Sequence, residues 1–409
     1  MKIIEGGVTA AEGFLASAAE ANIKYKGRDD MALVYSEVPA ICAGTFTTNV
    51  VKAAPVKWDM EIVKNKETAQ AVVLNSGIAN AATGKAGDEI NRQMAQAVAD
   101  ELSLDVSAVF TASTGVIGMQ MDPEKLKAGA KLLIPALKAE KEAGTLAAKA
   151  IMTTDTKPKE YAVEIDLNGK KVTIGGMAKG SGMIHPNMAT MLCVITTDAV
   201  IDKELLQETV KEIVQDTFNM ISIDRDTSTN DSLIVLANGK AGNEVIKAGK
   251  KDTDYLVFYE GLQKVCEELA KKMAADGEGA TRLFETKVIN AKNKEEAKVL
   301  AKSVITSNLV KTMIYGSDAN CGRVLCAMGY SGVSFNPDTV DLYVESEAGR
   351  LQLVADGMVI NYSEEEATKI MSEDKVTAIA DMKAGEAEAV AWGCDLTYDY
   401  VKINADYRS

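Results

Sequence analysis

Between Lys179 and Thr190 the chain carries a loop broken by glycine and proline, Lys179-Gly180-Ser181-Gly182-Met183-Ile184-His185-Pro186-Asn187-Met188-Ala189, and an apolar run, Met191-Leu192-Cys193-Val194-Ile195, follows at once. Such a run reads as a buried strand, which makes Thr190 the first residue of a core strand. A threonine there has unusual chemistry available to it. If the Ala189–Thr190 bond were cut, Thr190 would carry a free α-amine beside its own hydroxyl. That amine titrates near ~8 and can take the hydroxyl proton without help from a histidine. The same hydroxyl can make the cut, by attacking the preceding carbonyl to give an ester that water then opens. Read locally, an ordinary loop-to-strand junction is the equal alternative.

Elsewhere, helical and strand patterns alternate. Residues 31–36 and 71–75 read as strands. Ile90, Met94, Ala97, Val98 and Leu102 recur at helical spacing, so 89–102 is an amphipathic helix. A helix is expected over 124–142, interrupted at Pro135. Asn168-Gly169 tolerates positive φ and joins 161–166 to 171–175 as a hairpin. Further strands are expected at 191–197, 233–237, 340–346 and 387–394. Helices are expected over Leu205 to Phe218, 254–275 and 293–305. The alternation predicts α/β or α+β with mixed sheets and leaves the strand order open.

Composition excludes several classes. The length suggests roughly two or three domains, and no apolar run approaches the ~18 residues that span a membrane. The formal charge of −14 argues against nucleic-acid binding. Without a leader-like start, the expectation is a cytoplasmic protein. The six cysteines include no CxxC pair, so buried thiols are expected in place of disulfides or zinc. The one histidine, His185, rules out a two-histidine metal site. Its expected work is to shape the loop before Pro186 through a backbone hydrogen bond, since an α-amine on Thr190 makes a histidine base unnecessary.

Four other places carry chemistry. In Thr111-Ala112-Ser113-Thr114-Gly115, a glycine lets backbone N–H groups approach a ligand and a hydroxyl stands beside it; taken alone, this is usually a turn. Lys179 either holds a carboxylate as a point charge or is a solvated loop lysine. Glu278, between glycines after a long helix, either pairs with an ammonium or accepts a proton, or is an acid in a helix-end loop. The acidic run from Asp224 to Asp231 lacks the glycine and the distal glutamate of an EF-hand, and is read as structural.

The segment Lys179 to Leu192 resembles the self-cleaving threonine motif of the ornithine acetyltransferase family, also called the glutamate N-acetyltransferase or ArgJ family, and the resemblance covers nearly the whole chain. It implies cleavage at Ala189–Thr190 into an α chain, 1–189, and a β chain, with 190–282 as the β-chain core and 283–409 as a smaller C-terminal α/β domain. It implies a layered sandwich of mixed sheets of the DmpA/ArgJ type, with the nucleophile at a central strand. It gives Thr114 (hydroxyl) and Gly115 (N–H) the role of oxyanion hole. It makes Lys179, Glu278, Asn404, Ser409 and Thr190 itself substrate-binding, together with Thr156 (Thr154 second) from Thr153-Thr154-Asp155-Thr156. The implied reaction moves acetyl from N2-acetylornithine to glutamate through an acetyl-Thr190 ester. No cofactor or metal is implied. Acetyl-CoA is a second donor in some members, and two α with two β chains is the expected assembly. A self-processing amidase or aminopeptidase of the related fold is the alternative. Ile78, Arg225, Ala319 and Cys321 depart from the usual residues.

Overall fold

The computed structural model describes residues 1–185, 191–249 and 252–406. Thr190 and Ser409 therefore lie outside the described residues. The chain divides into two compact units. One comprises 1–180, 186–218 and 227–269; the other comprises 181–185, 219–226 and 270–409. The second begins its main stretch at Ala270, inside the helix Thr253–Ala275.

The first unit is built on a mixed sheet. Its order is Lys2–Ile4, Lys159–Leu167, Lys170–Lys179, Leu192–Thr197, Ser232–Ala237, Met31–Phe46, Thr68–Asn75 and Val109–Ser113, with Phe14–Ala19 paired to the start of Met31–Phe46. Side chains alternate across a strand, so one strand can feed two cores. Ala32, Val34, Val72, Leu74 and Phe110 join one hydrophobic cluster, while Met31, Leu33, Ala71, Val73 and Val109 join another. The sheet is thus buried on both faces, which explains why its strands read as near-continuous apolar runs. Full burial of each large apolar side chain contributes about 1.5–3 kcal/mol.

Most expected elements are present with boundaries moved by a few residues. Two differ for a physical reason. The strand at 31–36 continues to Phe46, with a register shift between Tyr35 and Ala40. Pro39 has no N–H to give a ladder, so the strand bulges there and the pattern breaks without the strand ending. The helix expected over 124–142 is interrupted at Pro135 as expected, by a tight turn at Ile134–Ala136 after Pro123–Leu133, but the second helix starts only at Lys141 and runs on to Ala150. The Asn168-Gly169 hairpin forms, with φ of 51° and 83° at the two turn residues.

The second unit holds a seven-stranded sheet. Its order is Met358–Val359, Gly349–Ala355, Asp341–Ser346, Lys375–Asp381, Leu283–Ala291, Ala387–Cys394 and Ile221–Ser222. The helix Lys294–Ile305 packs on the two strands Leu283–Ala291 and Ala387–Cys394. The last helix, Tyr398–Ala405, buries none of its residues.

Candidate active site

In the first unit, the strand Val109–Ser113 runs parallel to Thr68–Asn75 and delivers Thr114-Gly115 at its end. The turn is fixed from several sides. Thr114 N–H donates to the Asn75 carbonyl at 3.0 Å, and Val116 N–H to the Gly77 carbonyl at 3.0 Å. The Ser113 hydroxyl donates to Asn75 Oδ1 at 2.6 Å. Asn230 Nδ2 donates to the carbonyls of Ala79 (2.5 Å) and Ser113 (2.8 Å), closing the turn from a distant strand start. Gly115 sits at φ +128°, and a Cβ there would lie 2.2 Å from the Gly77 carbonyl carbon. No other residue fits this approach of backbone to backbone. Among the described residues the Gly115 N–H meets no acceptor, so the turn offers a fixed donor beside the Thr114 hydroxyl.

Lys179 is brought to the same place. It closes the strand Lys170–Lys179, where it pairs with Leu192 of the neighbouring strand. Its ammonium is buried and donates to Thr114 Oγ1 at 3.1 Å and to Thr153 Oγ1 at 3.2 Å. Behind it stands Asp155, at 3.9 Å from Lys179 Nζ and 2.6 Å from Lys159 Nζ. Asp155 also accepts from the N–H groups of Gly180 (2.7 Å) and Thr153 (3.2 Å). Burial by itself would raise the Asp155 pKa, but the Lys179 and Lys159 ammoniums outweigh it and hold the carboxyl at about 2. Of the Thr153–Thr156 stretch, Thr153 is the residue against Lys179, whereas Thr156 is exposed.

In the second unit, Glu278 is buried at the end of the long helix and accepts from Asn404 Nδ2 at 2.6 Å. Its N–H donates to the Ser181 carbonyl at 2.7 Å. A Cβ at residue 182 would sit 2.3 Å from this carboxylate, so any larger residue there would push Glu278 from its place. Asp224 accepts from Met183 N–H (2.6 Å), Ile184 N–H (2.8 Å) and the Tyr400 hydroxyl (3.3 Å). It thereby ties the loop that leads toward residue 189 to the terminal helix. Burial raises its pKa against these hydrogen bonds. Arg225 beside it holds φ +70°, a region that favours glycine. His185 Nδ1 lies 3.0 Å from the Ser222 hydroxyl. Burial, then the charges of Lys302 and Arg225, lowers the His185 pKa to about 4, so the ring is neutral at pH 7.

The structure brings Thr114, Gly115 and Lys179 together in one unit, and Glu278 and Asn404 together in the other. Sequence reasoning missed Asn75, Gly77 and Asn230 as supports of the donor turn, Asp155 as the anchor of Lys179, Gly182 as the seat of Glu278, and Asp224 as a loop clamp. Asp224 was the most nearly visible, as an acid inside a segment already read as structural. Among the described residues no cluster of His, Cys, Asp or Glu is placed to hold a metal, and no helix is long and apolar enough to cross a membrane.

A fixed N–H beside a hydroxyl backed by a buried cation, in a mixed α/β scaffold, is the equipment of a protein built for acyl transfer. The chain belongs to the ArgJ family, whose model matches residues 15–409. It is similar to the arginine biosynthesis bifunctional protein ArgJ of Thermotoga neapolitana, with 49% identity over 97% of this chain and 99% of that one. It is also similar to the glutamate N-acetyltransferase of Methanocaldococcus jannaschii, with 46% identity over 100% of both chains. A crystal structure of ornithine acetyltransferase complexed with ornithine, from Mycobacterium tuberculosis, matches 46% of this chain and 99% of its own at 42% identity, with a TM-score of 0.44.

Proposed function

We propose that this chain transfers the acetyl group of N2-acetylornithine to glutamate in arginine biosynthesis, through an acetyl ester on Thr190. It is an acyltransferase of the ArgJ family. One observation carries the site assignment. The register that pairs Lys179 with Leu192, two residues beyond Thr190 in the chain, belongs to the strand whose lysine touches the Thr114 hydroxyl of the donor turn. The loop first cuts itself at Ala189–Thr190. The new α-amine takes the proton of the Thr190 hydroxyl, whose oxygen attacks the acetyl carbonyl. Thr114 and Gly115 donate to the developing oxyanion. The tetrahedral intermediate breaks its C–N bond, the amine nitrogen of ornithine takes the proton, and acetyl stays on Thr190. The glutamate amine then attacks that ester, regenerating the hydroxyl and releasing N-acetylglutamate.

In this reading Glu278, Asn404, Ser409 and Thr156 bind substrate, and Glu278 faces the ammonium. The acetyl group travels on Thr190, so no cofactor is required, and acetyl-CoA can load the same ester. The two pieces stay together, two copies of each, in the cytoplasm. Denaturing mass spectrometry of wild type and Thr190→Ala, followed by an acetylornithine assay with and without glutamate, tests it. The expected result is two species matching 1–189 and 190–409 in wild type, one species in the variant, and donor consumption that requires glutamate. A Thr190→Ala protein that still splits at 189/190 overturns self-cleavage. Donor loss independent of glutamate would make the protein an amide hydrolase.

A further inference from the structure

We infer that Asp155 is a positioning residue of the acyl-transfer site, which acts through Lys179 to turn the hydroxyl proton of Thr114 toward the oxyanion; the inference rests on the acyl-transfer reading above. An ammonium has three donors and no acceptor. Lys179 Nζ, 3.1 Å from Thr114 Oγ1, therefore occupies a lone pair of that oxygen. The Thr114 proton cannot point back at Lys179 and must be donated elsewhere. The same holds for Thr153 Oγ1, 3.2 Å from the same nitrogen. A hydroxyl that accepts from a cation is also the stronger donor, because the charge polarises its O–H bond. Beside it, the Gly115 N–H meets no acceptor among the described residues. An oxygen that develops charge at Gly115 finds the neighbouring hydroxyl already aimed.

Asp155 keeps this arrangement in place. It accepts from Lys159 Nζ at 2.6 Å and Gly180 N–H at 2.7 Å, and lies 3.9 Å from Lys179 Nζ. One carboxylate thus fixes the ammonium of residue 179, the backbone of residue 180 and, through the Thr153 N–H at 3.2 Å, the turn that carries the second hydroxyl. Its side chain has no solvent exposure and that of Lys159 has 2%, so neither charge is diluted by water. At about 2, the Asp155 carboxyl remains ionised throughout the range of any assay. If Lys179 instead held a substrate carboxylate, its loss would raise KM; in the role inferred here its loss lowers kcat.

The test is a double-mutant cycle of Lys179→Met and Thr114→Val, with Asp155→Asn beside it. Two assays are read: acetyl transfer from acetylornithine to glutamate, and the p-nitrophenol burst from p-nitrophenyl acetate, which needs the oxyanion donors and Thr190 but no amino-acid recognition. Each single variant is expected to lose about 100-fold in kcat and in burst rate. The double variant loses no more than the worse single one, because Lys179 acts through Thr114. Asp155→Asn follows Lys179→Met in both assays, with KM within about twofold. Multiplying losses in the cycle, or a Lys179→Met enzyme with raised KM and unchanged kcat, overturns the inference. A wild type that bursts without transferring to glutamate overturns the proposed function and leaves the burst cycle to decide; a wild type with neither activity overturns both. If Asp155→Asn fails to fold with Lys159 left unpaired, D155N/K159M removes the stranded ammonium, and the Lys179/Thr114 cycle decides regardless.

Discussion

Asp155 in the first unit and Asp224 in the second are loop aspartates for which burial is the largest influence, yet their acidities move in opposite directions. Asp155 faces two lysine ammoniums, and its pKa falls to about 2. Asp224 is held by backbone N–H groups and the Tyr400 hydroxyl, with Asp226 beside it, and its pKa rises. Hydrogen bonds from neutral groups do not repay the loss of water around a carboxylate here, whereas two full charges do. The two regions are accordingly suited to opposite partners. The cluster around Lys179 sets two ammoniums against Asp155, a surrounding that suits a developing anion. The cluster around Glu278 and Asp224 has acids held by neutral donors, and favours an incoming ammonium.

The sharpest way to break this contrast is Gly115→Ala. The added methyl meets the Gly77 backbone, so the N–H must swing away. We expect kcat to fall about 100- to 1,000-fold in steady-state assays, a loss of about 3–4 kcal/mol of transition-state stabilisation. A wild-type kcat would mean that the turn is not an oxyanion hole.

Acid should take the two regions apart in order. His185, in the second unit, has a folded pKa of about 4 against 6.5 unfolded, so the unfolded chain binds more protons between those values. Its contribution is whole above pH 6.5 and is lost as pH falls toward 4. Asp155, in the first unit, keeps its contribution above pH 3.8 and loses about 2 kcal/mol as pH falls to 2. Urea unfolding across pH should show both windows, and His185→Gln should flatten the upper one alone. An unchanged slope between 6.5 and 4 in that variant would remove His185 from the account.

Glu278→Gln keeps the shape and the acceptor for Asn404 but removes the charge. KM for the amine-bearing substrate should rise roughly 10- to 100-fold, as expected for a charge-assisted hydrogen bond of about 1.5–3 kcal/mol, with kcat much less affected. A change confined to kcat would instead make Glu278 a proton acceptor. The smallest effect belongs to Asn404→Ala, which loses one hydrogen bond to that carboxylate. KM should rise about fivefold, near 1 kcal/mol; no change would confine Asn404 to packing.

Legibility followed the range of the interaction. The hairpin at Asn168-Gly169 was readable because its cause lies within the two turn residues. The helices were readable because burial on one face recurs every three or four residues. The strand Met31–Phe46 was readable only as far as Ser36, since Pro39 mimics an end that the bulge absorbs. Thr114 and Gly115 were visible as a turn with a hydroxyl, but Asn230, whose amide clamps that turn from 117 positions away, carries no local sign of it.

Thr190 illustrates what local chemistry settles without a fold: a hydroxyl one bond from a potential amine is a property of the residue itself and of the peptide that precedes it. Glycine at 115 and 182 and the buried runs of the sheet are likewise written in residue type. Which cation lies behind the Thr114 hydroxyl, and why one aspartate is acidified and another is not, had to await folding. An electric field depends on every charge within reach, and Lys179, Lys159 and Asp155 come within 4 Å only when two separate strands and a turn are laid side by side.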